Sequence, residues 1–291
     1  MRSARSHGRR LIVNGDDFGL SPEVNEGILE AFRQGILTST SLIPMGDAFQ
    51  QAVEIVVKTP SLDVGIHLTL TGEKSILEKR QIPTLVDENG KFRQSANHFF
   101  SDYFRSRISM EDVRKEFSAQ FEKLIFHGIS ISHVDSHQHI HMLPKILEIT
   151  IQLADRYNIR VIRFPKEKIR IKHLASSSKY PRLIQQLVLN LFCAYSRGLM
   201  KYYATDHFYG FYYGGDLDKY KIKSILLEQW DNGICELMCH PGKIMDGKTM
   251  EKYSHWNYKW GNELEGLVDP DVKYIIQKHN IKLSSFVDIN K

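Results

Sequence analysis

The stretch Leu11-Ile12-Val13-Asn14-Gly15-Asp16-Asp17-Phe18-Gly19 lies near the start of the 291-residue chain. Its apolar beginning predicts a short buried strand. The strand ends at two adjacent carboxylates, Asp16 and Asp17, between turn-forming glycines. Ser21 and Pro22 then supply an N-cap and a first helical residue. The pattern predicts a strand, an acidic tip and a helix, and ligands of α/β proteins bind at the carboxyl ends of strands.

The adjacent carboxylates allow two interpretations. They repel each other, so their shared position at one strand tip favours a cation beside them. Aspartate also favours turns through its own hydrogen bonds, and the alternative is a pair of solvated turn residues. These residues alone do not distinguish a functional site from a turn.

The composition is that of a globular domain, with 42% hydrophobic and 25% charged residues. We expect a mobile basic arm over residues 1–10, which hold four arginines, and one domain over residues 11–291. No apolar segment follows the arm, and the three cysteines are an odd number. We therefore expect no secretory signal, no disulfide framework and a cytoplasmic location.

No nucleic-acid partner and no transmembrane segment are expected. The segment Arg182–Leu199 is strongly apolar, yet it is too short and too polar for a membrane span. A core or interface helix is the main interpretation, and an interfacial membrane helix is the second. A homodimer and a weak membrane association both stay open.

Strands and helices alternate along the chain, which predicts βα units around a parallel sheet. Further strands are predicted at 36–43, 62–68, 129–134, 159–164, 234–238 and 282–287, and helices at 21–34, 48–58, 110–127, 144–157, 182–199, 217–229 and 271–279. Residues 73–99 are expected to form a long insertion or lid. The tyrosine-rich residues 202–213 are expected to stack on sugar rings or pack in the core. About seven strands fit one barrel-like domain.

Histidines follow the ends of several predicted strands. They are His67, the run from His133 to His141, and His240. All such ends converge on one face of a parallel barrel. If the run is extended, its alternate side chains share a face, whereas a turn at Ser136 lets one or two imidazoles reach the centre.

One imidazole of this run, His67 and one carboxylate would form a metal site with positions open to water. A metal lowers the pKa of bound water and polarises a carbonyl, which suits hydrolysis. A carboxylate off the metal would take the proton of the water, and a histidine across the site would protonate the departing amine. These donors do not distinguish zinc from magnesium.

Four motifs, Asn14–Ser21, Gly65–Leu68, His133–His141 and Met238–Gly242, resemble the signatures of the YdjC-like carbohydrate deacetylases. That family includes chito-oligosaccharide deacetylases and deacetylases of hopanoid biosynthesis. The resemblance implies an α/β fold, a distorted (β/α) barrel of the polysaccharide-deacetylase type. It also implies removal of N-acetyl groups from an amino sugar with one divalent metal ion, Mg²⁺ or Zn²⁺.

The resemblance also assigns roles to residues of this chain. It implies that Asp17, His67 and His137 hold the metal, that Asp16 is the catalytic base and that His240 is the catalytic acid.

Three further residues are expected to contact the substrate or to orient other groups. Arg163 resembles the arginine that orients the base in the wider superfamily, and His139 and His141 are the remaining histidines. Segment 135–139 is nearer to the chito-oligosaccharide type, whereas segments 82–87 and 161–167 are closer to the hopanoid type. The substrate therefore stays open between an N-acetylglucosamine-containing oligosaccharide and a glycolipid.

Two other functions stay open. An amidase or a phosphoesterase could use the same metal scaffold, and a non-catalytic sugar- or metal-binding protein would keep the histidines. Asp16 argues against a binding protein, because a binding site gains nothing from an unligated carboxylate beside the metal.

Overall fold

The computed structural model describes residues 8–170, 180–199, 204–228, 232–245 and 247–289. The strands are β1 (Arg9–Phe18), β2 (Ser39–Leu42), β3 (Asp63–Leu68), β4 (Val134–Ser136), β5 (His207–Tyr209), β6 (Gly233–Cys239) and β7 (Lys282–Leu283). The α-helices are α1 (Pro22–Gln34), α2 (Phe49–Lys58), α3 (Ala96–Phe104), α4 (Met110–Phe126), α5 (Pro144–Arg156), α6 (Tyr180–Ser196), α7 (Lys219–Leu226), α8 (Gly247–Tyr253), α9 (Trp260–Val268) and α10 (Pro270–Lys278). Short 3-10 turns cover His137–Met142, Ser254–Trp256 and Val287–Ile289.

The seven strands form one parallel sheet in the order β4-β3-β2-β1-β6-β5, and β7 pairs with the first part of β1. Helices flank this curved sheet. Within the described residues, β4 and β5 are the last strands on the two sides, and the segment around Ile162 adds a single parallel bridge to β4. The expected α/β fold, a distorted barrel of about seven strands, is confirmed. The predicted acidic tip thus belongs to β1, at the centre of the sheet.

The interior of the barrel has an apolar base and a polar top. Ile12, Val161, Ile234 and Phe286 form a small buried cluster that is separate from the main core. Because side chains alternate along a strand, Asn14 and Asp16 continue the face of Ile12. In the same way, Glu236 and Met238 continue the face of Ile234. The strands therefore pass from a packed base to a polar rim at their carboxyl ends.

The helix after β1 forms as the sequence predicts. Ser21 caps α1, and its hydroxyl accepts a hydrogen bond from the Val24 amide. The predicted N-terminal arm, however, extends too far along the chain. Arg9 and Arg10 lie in β1, where Arg9 donates to the Leu226 carbonyl and Arg10 to the Ser284 hydroxyl. Residues 1–7 of the predicted arm lie outside the described residues.

Several other predicted elements differ from the structure. The strand predicted at 129–134 begins only at Val134, and that predicted at 159–164 is reduced to one bridge between Ile162 and Val134. β5 lies inside the tyrosine-rich stretch, and α3, α8 and α9 were not predicted. The insertion after β3 holds turns and isolated bridges before α3 begins.

Candidate active site

A backbone irregularity turns both carboxylates of β1 into the barrel. In a regular strand Asp16 and Asp17 would point to opposite faces. The register of β1 against β2 shifts between Gly15 and Phe18, and Asp17 has a φ of 67°. Such left-handed backbone is strained for a residue with a Cβ and is concentrated at functional sites. Both carboxylates are buried and within reach of the same imidazole, that of His67.

Asp17, His67 and His137 place one ligand atom each within 4.8 Å of one another. The Oδ1 atom of Asp17 lies 3.1 Å from His137 Nδ1 and 3.4 Å from His67 Nε2. Burial alone raises the pKa of Asp17, but hydrogen bonds and charge from His137 and His67 hold it well below its usual range. Two imidazoles and an ionised carboxylate from three separate segments are a donor set that fits a divalent metal.

Asp135 at the end of β4 orients one of these imidazoles. Its Oδ1 lies 2.7 Å from His67 Nδ1, which leaves Nε2 directed at Asp17. A carboxylate behind a ligating histidine fixes the tautomer and the ring orientation. Burial lowers the pKa of His67, yet the charge of Asp135 and hydrogen bonds to Asp135 and Asp17 raise it to about 10. These contacts therefore favour the doubly protonated, positively charged form of the His67 imidazole.

The histidine run turns after Ser136 instead of staying extended. It forms a 3-10 turn in which Gln138 and His139 have φ values of 56° and 54°. Only His137 reaches Asp17. His141 is fully buried, with Nδ1 2.6 Å from the Ser136 hydroxyl and Nε2 3.0 Å from the Arg163 carbonyl oxygen. Of the two arrangements open from the sequence, the turn is therefore the one that forms.

His139 points to a different part of the site. Its ring lies against Phe208 and Phe211, and its buried Nδ1 has no hydrogen-bond partner among the described residues. Burial and the positive charge of Arg163 lower its pKa well below the usual range, so the imidazole is neutral. An unpaired, neutral imidazole on a cavity wall can accept or donate a hydrogen bond to a ligand.

Arg163 connects three buried carboxylates. Its two terminal nitrogens bind the two oxygens of Asp16, both at 2.6 Å. One of them also lies 2.8 Å from Asp135, and Nε donates to Glu236 at 2.6 Å. Asn14 adds a 2.8 Å hydrogen bond to Asp16. The planar guanidinium thus fixes the Asp16 carboxylate in a bidentate pair.

Asp16, His67 and Asp135 form a second group close enough to hold a metal by distance alone. The guanidinium of Arg163 already binds both aspartates, and its positive charge repels a cation at that position. The donor set around Asp17 is therefore the better candidate, and Asp16 is left as a carboxylate beside it.

His240 directly follows β6, the strand beside β1, and lines the same site. Its Nδ1 is 3.8 Å from Glu263 of α9, and its backbone amide donates to the same carboxylate at 2.5 Å. Burial lowers the pKa of His240, but Glu263, helped by the charges of Asp17 and Asp16, raises it above its ordinary value. Glu263 thus stabilises the positively charged form of this imidazole.

A cavity of about 380 Å³ opens onto these groups. Its polar wall includes Asp16, His67, His137, His139 and His240. Phe211 and Tyr258 add aromatic rings. Helices α3 and α6 supply an aliphatic and aromatic wall, with Phe100, Ile184, Val188, Leu189 and Phe192.

Five of the eight expected site residues line this cavity: Asp16, His67, His137, His139 and His240. Asp17 and Arg163 lie directly behind this lining, where Asp17 contacts His137 and Arg163 contacts Asp16. His141 is enclosed behind the wall and contacts Ser136 and the Arg163 carbonyl. Three contributors had no predicted role: Asp135, Glu236 and Glu263. A charged residue within the apolar strand 234–238 was a usable signal for Glu236, whereas nothing local marked Glu263.

No helix among the described residues is both long and apolar enough to cross a membrane. The expectation that Arg182–Leu199 does not span a bilayer is consistent with this finding.

Known proteins resemble the chain over nearly its whole length. A carbohydrate deacetylase of Clostridium beijerinckii is 31% identical over 96% of this chain and 100% of the relative. One of Brevibacillus brevis is 30% identical over 96% of this chain and 99% of the relative. A solved structure from Enterococcus faecalis, described as a proposed cellobiose-phosphate cleavage protein, is 27% identical with a TM-score of 0.75, covering 97% of this chain and 99% of that one.

A family model described as YdjC-like protein matches residues 10–278, a range that contains every residue of the site. With relatives of this similarity and coverage, the chain belongs to the YdjC-like family, together with these carbohydrate deacetylases.

Proposed function

We propose that the protein is a metal-dependent hydrolase that removes the N-acetyl group from an amino sugar. The carbohydrate deacetylases among its relatives support the reaction class. The observation that carries the proposal is the separation of two consecutive carboxylates. Asp17 faces two imidazoles, while Asp16 is held by Arg163 on the cavity wall.

Asp17, His67 and His137 would hold the divalent metal, with Asp135 behind His67. When bound, the metal would supply an electrophile that polarises the acetyl carbonyl and acidifies a water molecule. Two imidazoles and one carboxylate suit either zinc or magnesium. The proton transfers and the orientation of the reacting groups would be carried out by side chains of the protein.

Asp16 is the base in this proposal. Its carboxylate lines the cavity, and Arg163 and Asn14 fix its orientation, so it can accept the proton of the attacking water without first rearranging. Because the carboxylate is already held in one orientation, reaching the transition state costs no further conformational entropy at Asp16.

His240 is the acid. It lines the same cavity as Asp16, and its raised pKa favours the protonated form that the departing amine needs. Glu263 supports this form by its charge and by holding the His240 backbone amide. Base and acid thus lie at the ends of neighbouring strands, β1 and β6, and line one cavity.

The substrate we propose is an N-acetylglucosamine-containing oligosaccharide or glycolipid. Phe211 and Tyr258 offer rings for stacking against a sugar, and the unpaired Nδ1 of His139 offers a polar contact. The three cysteines are all free and buried, which supports a reducing, cytoplasmic environment.

The experiment compares Asp16→Asn with Asp17→Asn in the metal-loaded protein. Acetate release from N-acetylated chito-oligosaccharides and glycolipids is measured beside metal content. We expect Asp16→Asn to keep the metal but lose about 10²- to 10⁴-fold in kcat. Asp17→Asn should lose the metal. Asp87→Asn, at an exposed turn, is the matched control and should change neither quantity.

Three results would contradict the proposal. Near-wild-type turnover of Asp16→Asn would remove the base assignment. Activity that survives chelation would remove the metal. Release of phosphate from phosphorylated sugars, without acetate from acetylated ones, would favour a phosphoesterase on the same scaffold.

A further inference from the structure

One face of α6 is apolar and exposed. Its members recur at helical spacing along the 17-residue helix. They are Ile184, Leu187, Val188, Leu191 and Tyr195, here called the α6 stripe, with exposed fractions from 43% for Val188 to 74% for Tyr195. Phe104 of α3, 65% exposed, stacks on Phe192 and widens the patch.

The α6 stripe is not the core-facing side of the helix. Leu183, Leu189 and Cys193 are buried on the other side. Gln186 of that side donates to the Glu167 carbonyl. The helix is therefore already anchored, and its anchoring does not use the stripe. Contiguous exposed apolar surface of this kind marks a site of interaction.

Positive charge surrounds the stripe. The residues of α6 and the three that follow it, 180–199, include Arg182 and Arg197 and no acidic residue. Lys166 and Lys168 are exposed, and they line one cavity together with Arg197 and with Asn190 of α6. The acidic residue between the two lysines, Glu167, is buried. One exposed acidic residue, Asp206, lines the same cavity as the three cations Lys166, Lys168 and Arg197. The surface beside the stripe therefore carries a net positive charge.

This charge distribution distinguishes between two possible partners of the stripe, a second copy of the chain and a lipid surface. In a two-fold pairing of α6 with a second copy, the cationic ends of the two helices would meet with no acidic residue on α6 to pair them. An anionic lipid surface instead neutralises the cations and accepts the apolar side chains. We propose that α6 docks the protein on an anionic membrane surface, with the stripe inserted at the level of the headgroups.

The docking face is continuous with the catalytic cavity. Ile184 and Val188 belong both to the stripe and to the cavity wall, so the mouth of the cavity would face the membrane. A sugar carried on a lipid in that membrane could then reach Asp16 without leaving the surface. This last step rests on the proposed function, whereas the docking itself does not.

The test is co-sedimentation with lipid vesicles. We expect the full-length protein to bind an equal mixture of phosphatidylglycerol and phosphatidylcholine and to bind pure phosphatidylcholine much less. Binding should weaken as salt is added. Leu187→Gln/Leu191→Gln removes two stripe residues that do not line the cavity, and should weaken binding at least about tenfold. Val57→Gln changes a side chain on α2 that is about as exposed as Leu191, and should bind as the unmodified protein does.

A second variant tests the charges separately. Lys168→Gln/Arg197→Gln should reduce binding to the anionic mixture and leave binding to phosphatidylcholine unchanged. No binding to the anionic vesicles, or equal binding by Leu187→Gln/Leu191→Gln, would overturn the proposal. So would a dimer in light scattering that this double variant converts to monomer, because the stripe would then be an interface between copies.

Acetate release from a water-soluble N-acetylated sugar separates this inference from the proposed function. If Leu187→Gln/Leu191→Gln loses vesicle binding and keeps that activity, both proposals hold. If the unmodified protein releases acetate but binds no vesicle, the docking is wrong and the deacetylase stands. If it binds vesicles and releases no acetate from any substrate, the docking stands and the deacetylase proposal is wrong.

Discussion

Replacing Arg163 with methionine tests the interpretation of the buried charge network. The guanidinium is 1% exposed and is the cation that Asp16, Asp135 and Glu236 share. Methionine fills part of the volume but leaves three carboxylates close together in the barrel. We expect a large loss of stability together with a loss of activity, because Asp16 also loses its orientation.

The magnitude follows from the burial of these groups. Breaking one buried ion pair by removing a partner costs about 3–5 kcal/mol. The cost for Arg163→Met should reach the upper part of that range, because three partners lose their counter-charge. Proton uptake by the carboxylates limits this loss of stability. The pKa of Glu236 is already raised to about 7 by burial, so this carboxyl neutralises first.

The sign of the pH dependence is fixed by the same groups. In Arg163→Met the folded pKa values of the carboxyls rise above their unfolded values, so the folded state binds more protons and loses stability as pH rises. Urea unfolding at about pH 5 and about pH 8 should therefore show a larger deficit at the higher pH. Arg80→Met, at a solvent-exposed pair with Glu78, is the control and should change little. A deficit below about 1 kcal/mol, or an equal deficit at both pH values, would refute the reasoning.

Three further predictions concern the neighbours of these groups. Asp135→Asn should weaken metal binding about 10- to 100-fold in calorimetry, since His67 loses the carboxylate that orients it; an unchanged affinity would contradict this role. Glu263→Gln should lower the pKa of His240 and move the basic limb of the kcat/KM profile to lower pH. An unmoved limb would show that Glu263 does not control the protonation of His240. Wild-type stability should fall, relative to Glu236→Gln, as pH rises from 4.5 to about 7, because the folded carboxyl keeps its proton longer than the unfolded one; parallel curves would contradict the buried pKa.

The sequence predicted that these side chains would lie together, because the strand ends of a parallel sheet converge. The tip of β1, His67 and His240 each follow an apolar run, and their meeting at one edge follows from topology alone. Periodicity likewise identified α1, α4 and α5, whose apolar faces pack in the core.

What the sequence could not predict depends on contacts between distant segments. The left-handed backbone at Asp17 and the 3-10 turn after Ser136 are local conformations that the surrounding fold imposes. Arg163 meets Glu236 across 73 positions. Glu263 belongs to α9, a nine-residue helix that was not predicted. β5 was hidden because its aromatic residues fit a sugar-binding loop as well as a strand.

The backbone irregularity at the end of β1 also limits which changes of sequence the site can tolerate. The proposed base and a proposed metal ligand are consecutive residues of a central strand that is paired on both sides. Adding or removing one residue in β1 would move the side chains beyond that point to the opposite face of the sheet. The tip can therefore evolve by substitution but not by change of length. The segment between β3 and α3 belongs to no strand of the sheet, so a change of length there would leave the register of β1 intact.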